Sequence, residues 1–559
     1  MNAGLVTAEE MRAIEARAAE RGETGPVLMD RAARRVAAVV AERLPRTAGR
    51  APRVLVLVGP GNNGGDGLWA ARYLRERGVE ATAYLWHRAG SPDAALAGAE
   101  EGDVPIVRAA EDADGARLAA LLDEAAAVVD ALLGFGLQRD ITGELAAIIA
   151  TVQGAVERRA GTAHPLPVFA VDIPTGVDSD TGRVRGVALP AQVTITLGVA
   201  KRGLYLYPGA ARAGEIILGD IGVGDLTDNV QITNTTAEQV RGLLPARPAD
   251  ANKGTFGSVL IVAGSLNYIG AAVLSTLGAM RIGVGLATLA TPIELLPIVA
   301  AKLTECTFQP LPGDMGILTE RSVKPLFDAL SERQYKALLV GNGLGHEKET
   351  LNFMRGLLQD KASAAPARTR AAHLGGFGLA RHVEPPKQET PEEDKIPGLP
   401  PLVLDADGLN LLVQIEDWSG RLPTDTILTP HPGEMARLLD SDVETVQADR
   451  VGTAQRAAAE WKAIVVLKGA NTVIAAPDGR VALNPAASAA LATAGTGDVL
   501  AGCIAGLLAQ GLAPFDAAVA GVFVHGQAGL LVAEELGDAG ALAGDVAEAL
   551  PHALREIKS

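Results

Sequence analysis

The chain has 559 residues, long enough for two or more domains. Its 66 Asp and Glu outnumber its 50 Lys and Arg, and the net charge of −16 argues against a nucleic-acid binder, which needs a basic face. With 48% apolar and 21% charged residues the composition is globular, so disorder cannot dominate.

The first residues, Met1 to Glu10, lack the basic start and apolar run of a signal peptide. Thr7 and Glu10 are spaced as a capping box, with Met11, Ile14 and Ala18 on one face and Gly22 as a stop, which predicts a helix. A second helix is expected from about Val27 to Leu44. Val54–Val58 is a short continuous apolar run, the pattern of a strand buried on both faces, and a helix over Leu68–Arg77 follows. Further strands are expected at Val79–Leu85, Ala127–Val129, Val168–Val171 and Val193–Leu197, which makes a doubly wound α/β layer. The rhythm lapses over Asp220–Pro248, and a boundary is placed near residue 235, giving domains 1–235 and 236–559. A second series runs through Val259–Ala263, Leu286–Leu289, Ala337–Val340, Leu402–Leu404, Thr426–Leu428 and Ile464–Leu467. Lys361–Pro401, rich in Pro and Glu, reads as a flexible insertion (361–401). The apolar stretches Val259–Leu303 and Val499–Val524 are interrupted by Arg281, Pro292, Glu294, Pro514 and Asp516, so no membrane span is expected. Cys306 and Cys503 cannot build a disulfide framework, and a reducing, cytoplasmic setting is the simpler reading.

In the first half, Gly59-Pro60-Gly61-Asn62-Asn63-Gly64-Gly65-Asp66-Gly67 lies between a buried strand and a helix. Its glycines allow close backbone approach to a ligand, and a helix start offers free N–H groups to an anion. A tight strand-to-helix turn is the bland alternative, but a turn alone does not call for two Asn and an Asp. Asp130 and Asp172 fall at the carboxyl ends of strands, where ligands of open parallel sheets bind, so Asn63, Asp130, Asp172 and Thr175 could converge. Oxygen ligands of this kind suit a hard cation. Each Asp alone could be a helix cap, and Lys201 could meet a phosphate or be solvated.

Asn62-Asn63-Gly64-Gly65-Asp66-Gly67, then Asp130 with Leu133-Gly134-Phe135-Gly136, then Asp172-Ile173-Pro174-Thr175-Gly176, resemble the NAD(P)H-hydrate epimerase domain across nearly the whole first half. The resemblance implies a Rossmann-like α/β/α sandwich with potassium held through Asn63, Asp130 and Thr175. It implies hydrate binding along Asn62, Asn63, Gly64, Gly65, Asp66, then Gly134, Phe135, Gly136, Leu137, Gln138, Arg139, Asp140, and Asp172, the last also catalytic.

In the second half, Ala494-Gly495-Thr496-Gly497-Asp498 opens an Ala-rich helix. Turn and helix N–H groups would form an anion hole, with Asp498 placed to take a proton from a hydroxyl or, alternatively, to cap the helix. Lys468-Gly469-Ala470-Asn471-Thr472 ends a strand and could clasp phosphates, Lys468 as charge and Thr472 as hydroxyl donor. Thr429-Pro430-His431-Pro432-Gly433-Glu434, Asp405, Asp407 and Asn410, Gly341-Asn342-Gly343-Leu344-Gly345, Lys253–Gly257 and Gly264-Ser265 lie beside other strands, and together suggest one large nucleotide site. This set resembles the ribokinase-like superfamily, and within it the nucleotide-dependent NAD(P)H-hydrate dehydratases, from Arg247 to Ile557. The resemblance implies a ribokinase-like α/β domain, nucleotide binding by Lys468, Gly469, Ala470, Asn471, Thr472 and Gly497, and hydrate binding by Ala271, Gly343, His431 and Asp498. ADP or ATP with magnesium would be the phosphoryl donor. One departure is Ala487-Ser488-Ala489-Ala490, where the family often has Gly-Asn-Pro-Gly.

The two resemblances imply one repair pathway acting on hydrated NADH and NADPH, with epimerisation in the first half and dehydration in the second. A homo-oligomer with no nucleic-acid or membrane partner is expected. The competing reading is an ordinary kinase for a hydroxymethylpyrimidine or a sugar, with the first half a nucleotide-binding module.

Overall fold

The structure, a computed structural model, describes residues 4–44, 51–88, 93–227, 230–358, 398–537 and 539–559. Nearly all of the expected 361–401 insertion therefore lies outside the described residues. The chain forms two compact units, Met1–Thr236 with Arg480–Pro485, and Ala237–Gly479 with Ala486–Ser559.

The first unit is built on a parallel sheet with strands in the order Ile106–Arg108, Glu80–Leu85, Arg53–Val58, Ala127–Ala131, Val168–Val171, Val193–Leu197, Glu215–Gly219. The first six follow the 3-2-1-4-5-6 order of a dinucleotide-binding sheet. Order reverses between Arg53–Val58 and Ala127–Ala131, and there the loops after both strands diverge and leave a crevice. One face of the sheet carries a core that includes Val36, Val40, Val56, Leu68 and Leu74. The other carries Leu55, Leu57, Leu118, Ile149 and Val152. The capping box at Thr7 and Glu10 is present, and Met11, Ile14 and Ala18 are buried.

Two expectations change here. The helix after Arg53–Val58 spans Asn62–Glu76, so Asn62–Gly67 form its first turns rather than a loop before it. The glycines serve packing: a Cβ on Gly64 would lie 2.0 Å from the Gly59 carbonyl oxygen, and one on Gly67 would lie 2.5 Å from Ala131 Cβ. The stretch Asp220–Pro248 also holds more structure than its polarity suggests. Ile232–Asn234 is a strand that pairs with Gly4–Val6 and with Val481–Leu483, and Ala237–Leu243 is a helix.

The second unit repeats the wiring. Its strands run Thr307–Leu311, Leu286–Pro292, Ser258–Val262, Ala337–Val340, Leu402–Leu404, Ile427–Leu428, Ile464–Leu467, all parallel, followed by the antiparallel Val473–Ala475. The reversal falls between Ser258–Val262 and Ala337–Val340. At that crevice the Gly264 N–H donates to the Asn342 carbonyl at 2.9 Å. Helix Thr496–Ala509 crosses behind it, packed on helix Ile269–Arg281 through small residues.

Pro514–Leu536 is long and apolar enough to cross a membrane by length and composition, and 78% of its apolar window is buried in the protein. It packs on Thr496–Ala509 and Ala543–Lys558 as a core helix. Pro514 and Asp516, expected to interrupt the apolar run Val499–Val524, lie where it divides: one helix ends at Ala509 and they occupy the first turn of the next, where a Pro needs no N–H partner.

The Thr496–Ala509 contact gives a stability test. A Cβ on Gly502 would lie 1.9 Å from the Ser275 carbonyl oxygen, which belongs to backbone that cannot rotate aside. Gly502→Ala should therefore destabilise the second unit by about 1–3 kcal/mol through overpacking, despite alanine's better helix propensity. Urea unfolding followed on purified protein checks this; an unchanged or higher midpoint would show that the helices can separate freely.

Candidate active sites in the two units

In the first unit the crevice at the strand-order reversal is a cavity of about 800 Å³. Asn62, Asn63, Asp66, Gly134–Arg139 and Asp172 line it, together with Arg12, Glu15 and Lys201. Gly64 and Gly65 turn inward, against the Gly59 carbonyl and Met29, and Asp140 is exposed away from the lining. Gly61 begins helix Asn62–Glu76 without a side-chain cap, so its first N–H groups face the cavity mouth free to meet an anion. Arg88 braces this turn, donating to the carbonyls of Gly59 (3.1 Å) and Gly61 (2.9 Å) while paired with Asp93.

Asp130 and Thr175 lie beneath the lining. Thr175 donates its Oγ1 hydroxyl (2.7 Å) and its N–H (2.8 Å) to the Asp130 carboxylate, and the Leu132 N–H donates at 3.2 Å. Asp130 is fully buried, and burial pushes its carboxyl up to about 6 against these hydrogen bonds. Asn63 is buried with its amide nitrogen unpartnered.

Asp172 adopts a left-handed φ of +67°, a strained conformation that turns its side chain off the strand end. It accepts from the Leu197 N–H at 3.1 Å and pairs with Lys201. Lys201 is thus neither a solvated surface lysine nor a free phosphate contact: it is 1% exposed, donating to Asp172 and to the Leu197 carbonyl. Burial, and then the Asp172 charge, raise Asp66 well above the usual carboxylate range. Glu15 is raised too, by burial first, and was missed from sequence. Its signal was available: a Glu next to Ile14, on the face of an amphipathic helix that Met11 and Ala18 bury.

The second unit's site is a buried polar network at the carboxyl ends of its strands. Lys468 donates to Asp405 at 2.6 Å and lies 3.7 Å from Glu434. Thr429 donates its hydroxyl to the same Asp405 oxygen at 2.6 Å. The Asn342 amide nitrogen donates to Asp405 (2.9 Å) and to Asp498 (2.7 Å), joining the ion pair to the helix start. A Cβ on Gly497 would lie 3.6 Å from the Lys468 ammonium, which therefore faces the first turn of Thr496–Ala509.

Asp498 is not the helix cap. Gly495, with φ +93°, occupies that position without a side-chain hydrogen bond, and Asp498 is the third helical residue. Burial, then the charge on Asp405, push its carboxyl up to about 6, with the Asn342 hydrogen bond pulling the other way. Burial would lower the Lys468 pKa, but Asp405 and Glu434 hold it above the usual value. Burial raises Glu434, opposed by Lys468.

His431 is an N-cap. Its Nδ1 accepts from the N–H groups of Gly433 (3.0 Å) and Glu434 (3.3 Å), while Glu434 accepts from the His431 N–H at 2.7 Å. A nitrogen that accepts two N–H bonds carries no proton of its own, which leaves the ring proton to Nε2; burial, then Lys468, lower the His431 pKa. Gly343, at φ +65°, packs against Ala271 and Tyr268, bringing two expected hydrate-binding residues together. Thr472 differs from expectation: its hydroxyl donates to the Gly469 carbonyl at 2.9 Å and closes the Gly469–Thr472 turn. Gly469 and Ala470 are exposed, and Asn471 is buried at φ +56° with its amide oxygen unpartnered.

Lys253–Gly257 does not join this site. It forms a turn ahead of strand Ser258–Val262, at the amino ends, where a Cβ on Gly257 would lie 1.9 Å from the Ala509 carbonyl oxygen. That is the far end of the helix whose start carries Asp498. In the Ala487–Ala490 departure, Ser488 caps a short turn by accepting from the Ala490 N–H at 3.2 Å.

Known proteins resemble both units. The family model described as NAD(P)H-hydrate dehydratase matches residues 259–366 and 368–552, and that described as YjeF-related protein N-terminus matches residues 25–203. The bifunctional NAD(P)H-hydrate repair enzyme Nnr of Moorella thermoacetica is 35% identical, over 99% of this chain and 97% of that protein. Its namesake from Thermofilum pendens is also 35% identical, over 98% of this chain and 96% of that protein. A solved ADP/ATP-dependent NAD(P)H-hydrate dehydratase from Bacillus subtilis, co-crystallised with ATP and Mg²⁺, is 31% identical over 58% of this chain and 97% of its own, with a TM-score of 0.45. On identity held along nearly its whole length, the chain belongs to the family of bifunctional NAD(P)H-hydrate repair enzymes.

Proposed function

We propose that this chain repairs hydrated NADH and NADPH, the first unit interconverting the R and S epimers and the second dehydrating the S epimer at the expense of ADP or ATP. It is then an isomerase and a lyase in one polypeptide. The observation that carries the dehydratase reading is the Lys468–Asp405–Asn342–Asp498 network at an uncapped helix start.

Hydroxide is a poor leaving group at neutral pH, and phosphorylation supplies a better one. Asp498 accepts the proton of the hydrate's hydroxyl as that oxygen attacks the terminal phosphorus of the nucleotide, whose bridging oxygen leaves with the bonding pair. Lys468 and the open N–H groups of Thr496–Ala509 face the charge that develops on the phosphoryl oxygens. Inorganic phosphate then departs with the C–O pair as the ring nitrogen donates electrons, and loss of a proton from the adjacent carbon restores the dihydronicotinamide. An ordinary kinase would use the same residues; release of free phosphate with regained absorbance of the reduced cofactor distinguishes the two. Magnesium in this reading comes with the nucleotide phosphates. Among the described residues no group of three or more His, Cys, Asp or Glu could hold a metal ion, so no protein cage is assigned to it.

In the first unit Asp172 is the proposed catalytic group, held by Lys201 at the cavity wall. The residues fit the proposed potassium. Asp130 is a buried carboxylate with no ammonium or guanidinium among the groups that shift it, and Thr175 adds oxygen. Asn63, with one end of its amide unpartnered, can turn an oxygen the same way. Bound there, the ion would neutralise Asp130 and order the Leu133–Gly136 turn against the substrate.

Asp498→Asn removes the proton acceptor and should lower dehydration by about 10²–10⁴-fold. Because the cap is Gly495, its stability cost should stay within about 1 kcal/mol, the worth of a carboxylate at a helix start. In the unaltered enzyme kcat/KM should be flat above neutral pH and fall about tenfold per unit as pH drops below about 6, where Asp498 takes up its proton. A full rate in Asp498→Asn would remove it from the mechanism. For the first unit, Asp130→Asn should abolish potassium binding, followed by calorimetry, and the potassium dependence of epimerisation, with S-hydrate dehydration unchanged. Loss of both activities together would count against independent sites.

A further inference from the structure

Asn342 occupies an unusual position for a neutral side chain. It lies in the glycine turn after strand Ala337–Val340, at the strand-order reversal, and is 0% exposed. Its amide nitrogen has two protons, and each goes to a different carboxylate, Asp405 at 2.9 Å and Asp498 at 2.7 Å. Two carboxylates on one amide fix which end is nitrogen, since the oxygen could donate to neither. That oxygen is buried without a partner, a cost the fold retains. The backbone is tied down as well, because the Asn342 carbonyl accepts from the Gly264 N–H across the crevice at 2.9 Å.

We infer that Asn342 is a positioning residue for dehydration: it clamps the Asp498 carboxylate toward the reacting hydroxyl and keeps it ionised beside the like charge of Asp405. The inference rests on Asp498 being the base. Asp498 carries two demands that conflict. It must lie close to Lys468 and the phosphoryl group, yet Asp405 is already there, and Asp407 is on the next turn. Direct contact between ionised carboxylates would drive a proton onto one of them. The amide between them gives each a hydrogen bond and holds them apart. Asp405 has its other oxygen on Lys468 and Thr429, so it stays fixed, and through Asn342 it fixes Asp498. The remaining titratable groups nearby are Glu434, behind Lys468 on helix Pro432–Leu438, and His431 at that helix start. On the opposite side, His525 of helix Pro514–Leu536 contacts the Thr496 carbonyl at 2.9 Å.

The test is the pH profile of dehydration in the full-length enzyme, using S-hydrate and ADP or ATP, for the unaltered chain and Asn342→Leu, which is nearly isosteric and cannot donate. Without the hydrogen bond the charged form of Asp498 is disfavoured. The acid limb should therefore move up by about one pH unit or more. At neutral pH kcat should fall by at least about twofold from the moved limb alone, and further from lost positioning; alkaline buffer should recover only the titration part, with nucleotide KM changed little. A purely structural loss would lower the rate at every pH and leave the limb in place, and that result would overturn the inference. Where Asn342→Leu does not fold, Asn342→Ser is measured instead. It can donate only one hydrogen bond and should move the limb in the same direction by less; an unmoved limb there also overturns it. The underlying reading fails differently, with a limb that survives Asp498→Asn or with no conversion by the unaltered enzyme.

Discussion

Both units depend on one topological constraint, the reversal of strand order beside the first strand of a parallel sheet. Chain leaving Arg53–Val58 and Ala127–Ala131 must depart to opposite faces, and the same holds for Ser258–Val262 and Ala337–Val340. A crevice opens there, at the carboxyl ends, so residues that follow these strands can line it. Everything polar in either site is an answer to that geometry. Backbone must come close to ligand, which explains the glycines, and side chains must be short or tied down, which explains the Asn, Asp and Thr that follow each strand.

Each unit then meets the same electrostatic problem in its own way. A carboxylate at a strand end is buried by the loops around it, and a buried charge without a partner is expensive. In the first unit Lys201 pairs with Asp172, both almost wholly buried. In the second Lys468 pairs with Asp405. Replacing either partner alone would strand the other charge, so these lysines support the structure of both sites. Asp130 differs: among the described residues its carboxylate accepts from Thr175 and Leu132 rather than from a lysine or arginine, and burial raises its pKa.

Much of this was legible in the sequence, because continuous apolar runs such as Ala337–Val340, Leu402–Leu404 and Ile464–Leu467 mark strands buried on both faces and coincide with them in the structure. Short or mixed strands were not. Thr307–Leu311 carries Gln309 and Pro310 at a sheet edge, and Val481–Leu483 belongs to a unit far away in sequence, which no local pattern can express. The site showed a similar division. Residue types and their places after strands were readable, but hydrogen-bond direction was not. Thr472 turned to its own loop, His431 became a cap through Nδ1, and Asn342, quoted within its glycine turn, acquired its place between Asp405 and Asp498 only in three dimensions. Lys253–Gly257 was misplaced because proximity to a strand says nothing about which end of the sheet a turn occupies.

The remaining question is why a site for a polyphosphate holds so many carboxylates. Asp405, Glu434 and Asp498 surround one lysine, with Asp407 near Asp498, and at first sight they should repel the nucleotide. Their environments separate their roles. Asp405 is committed to Lys468, Thr429 and Asn342, and Asp407 accepts from the Gly345 N–H and faces His346. Glu434, raised by burial, is the one most ready to be neutral. Asp498 is left as the carboxylate with a free task, and burial keeps it a stronger base than an exposed Asp. A base with its carboxyl near 6 is mostly ionised at neutral pH, yet close enough to that pH to take a hydroxyl proton as the oxygen attacks. On the proposed reading, once it has done so its charge is gone at the moment the phosphoryl group draws nearest. In the proposed mechanism the repulsion that a fixed anion would impose is removed by the proton transfer itself, leaving Lys468 and the open helix start to act on the phosphate.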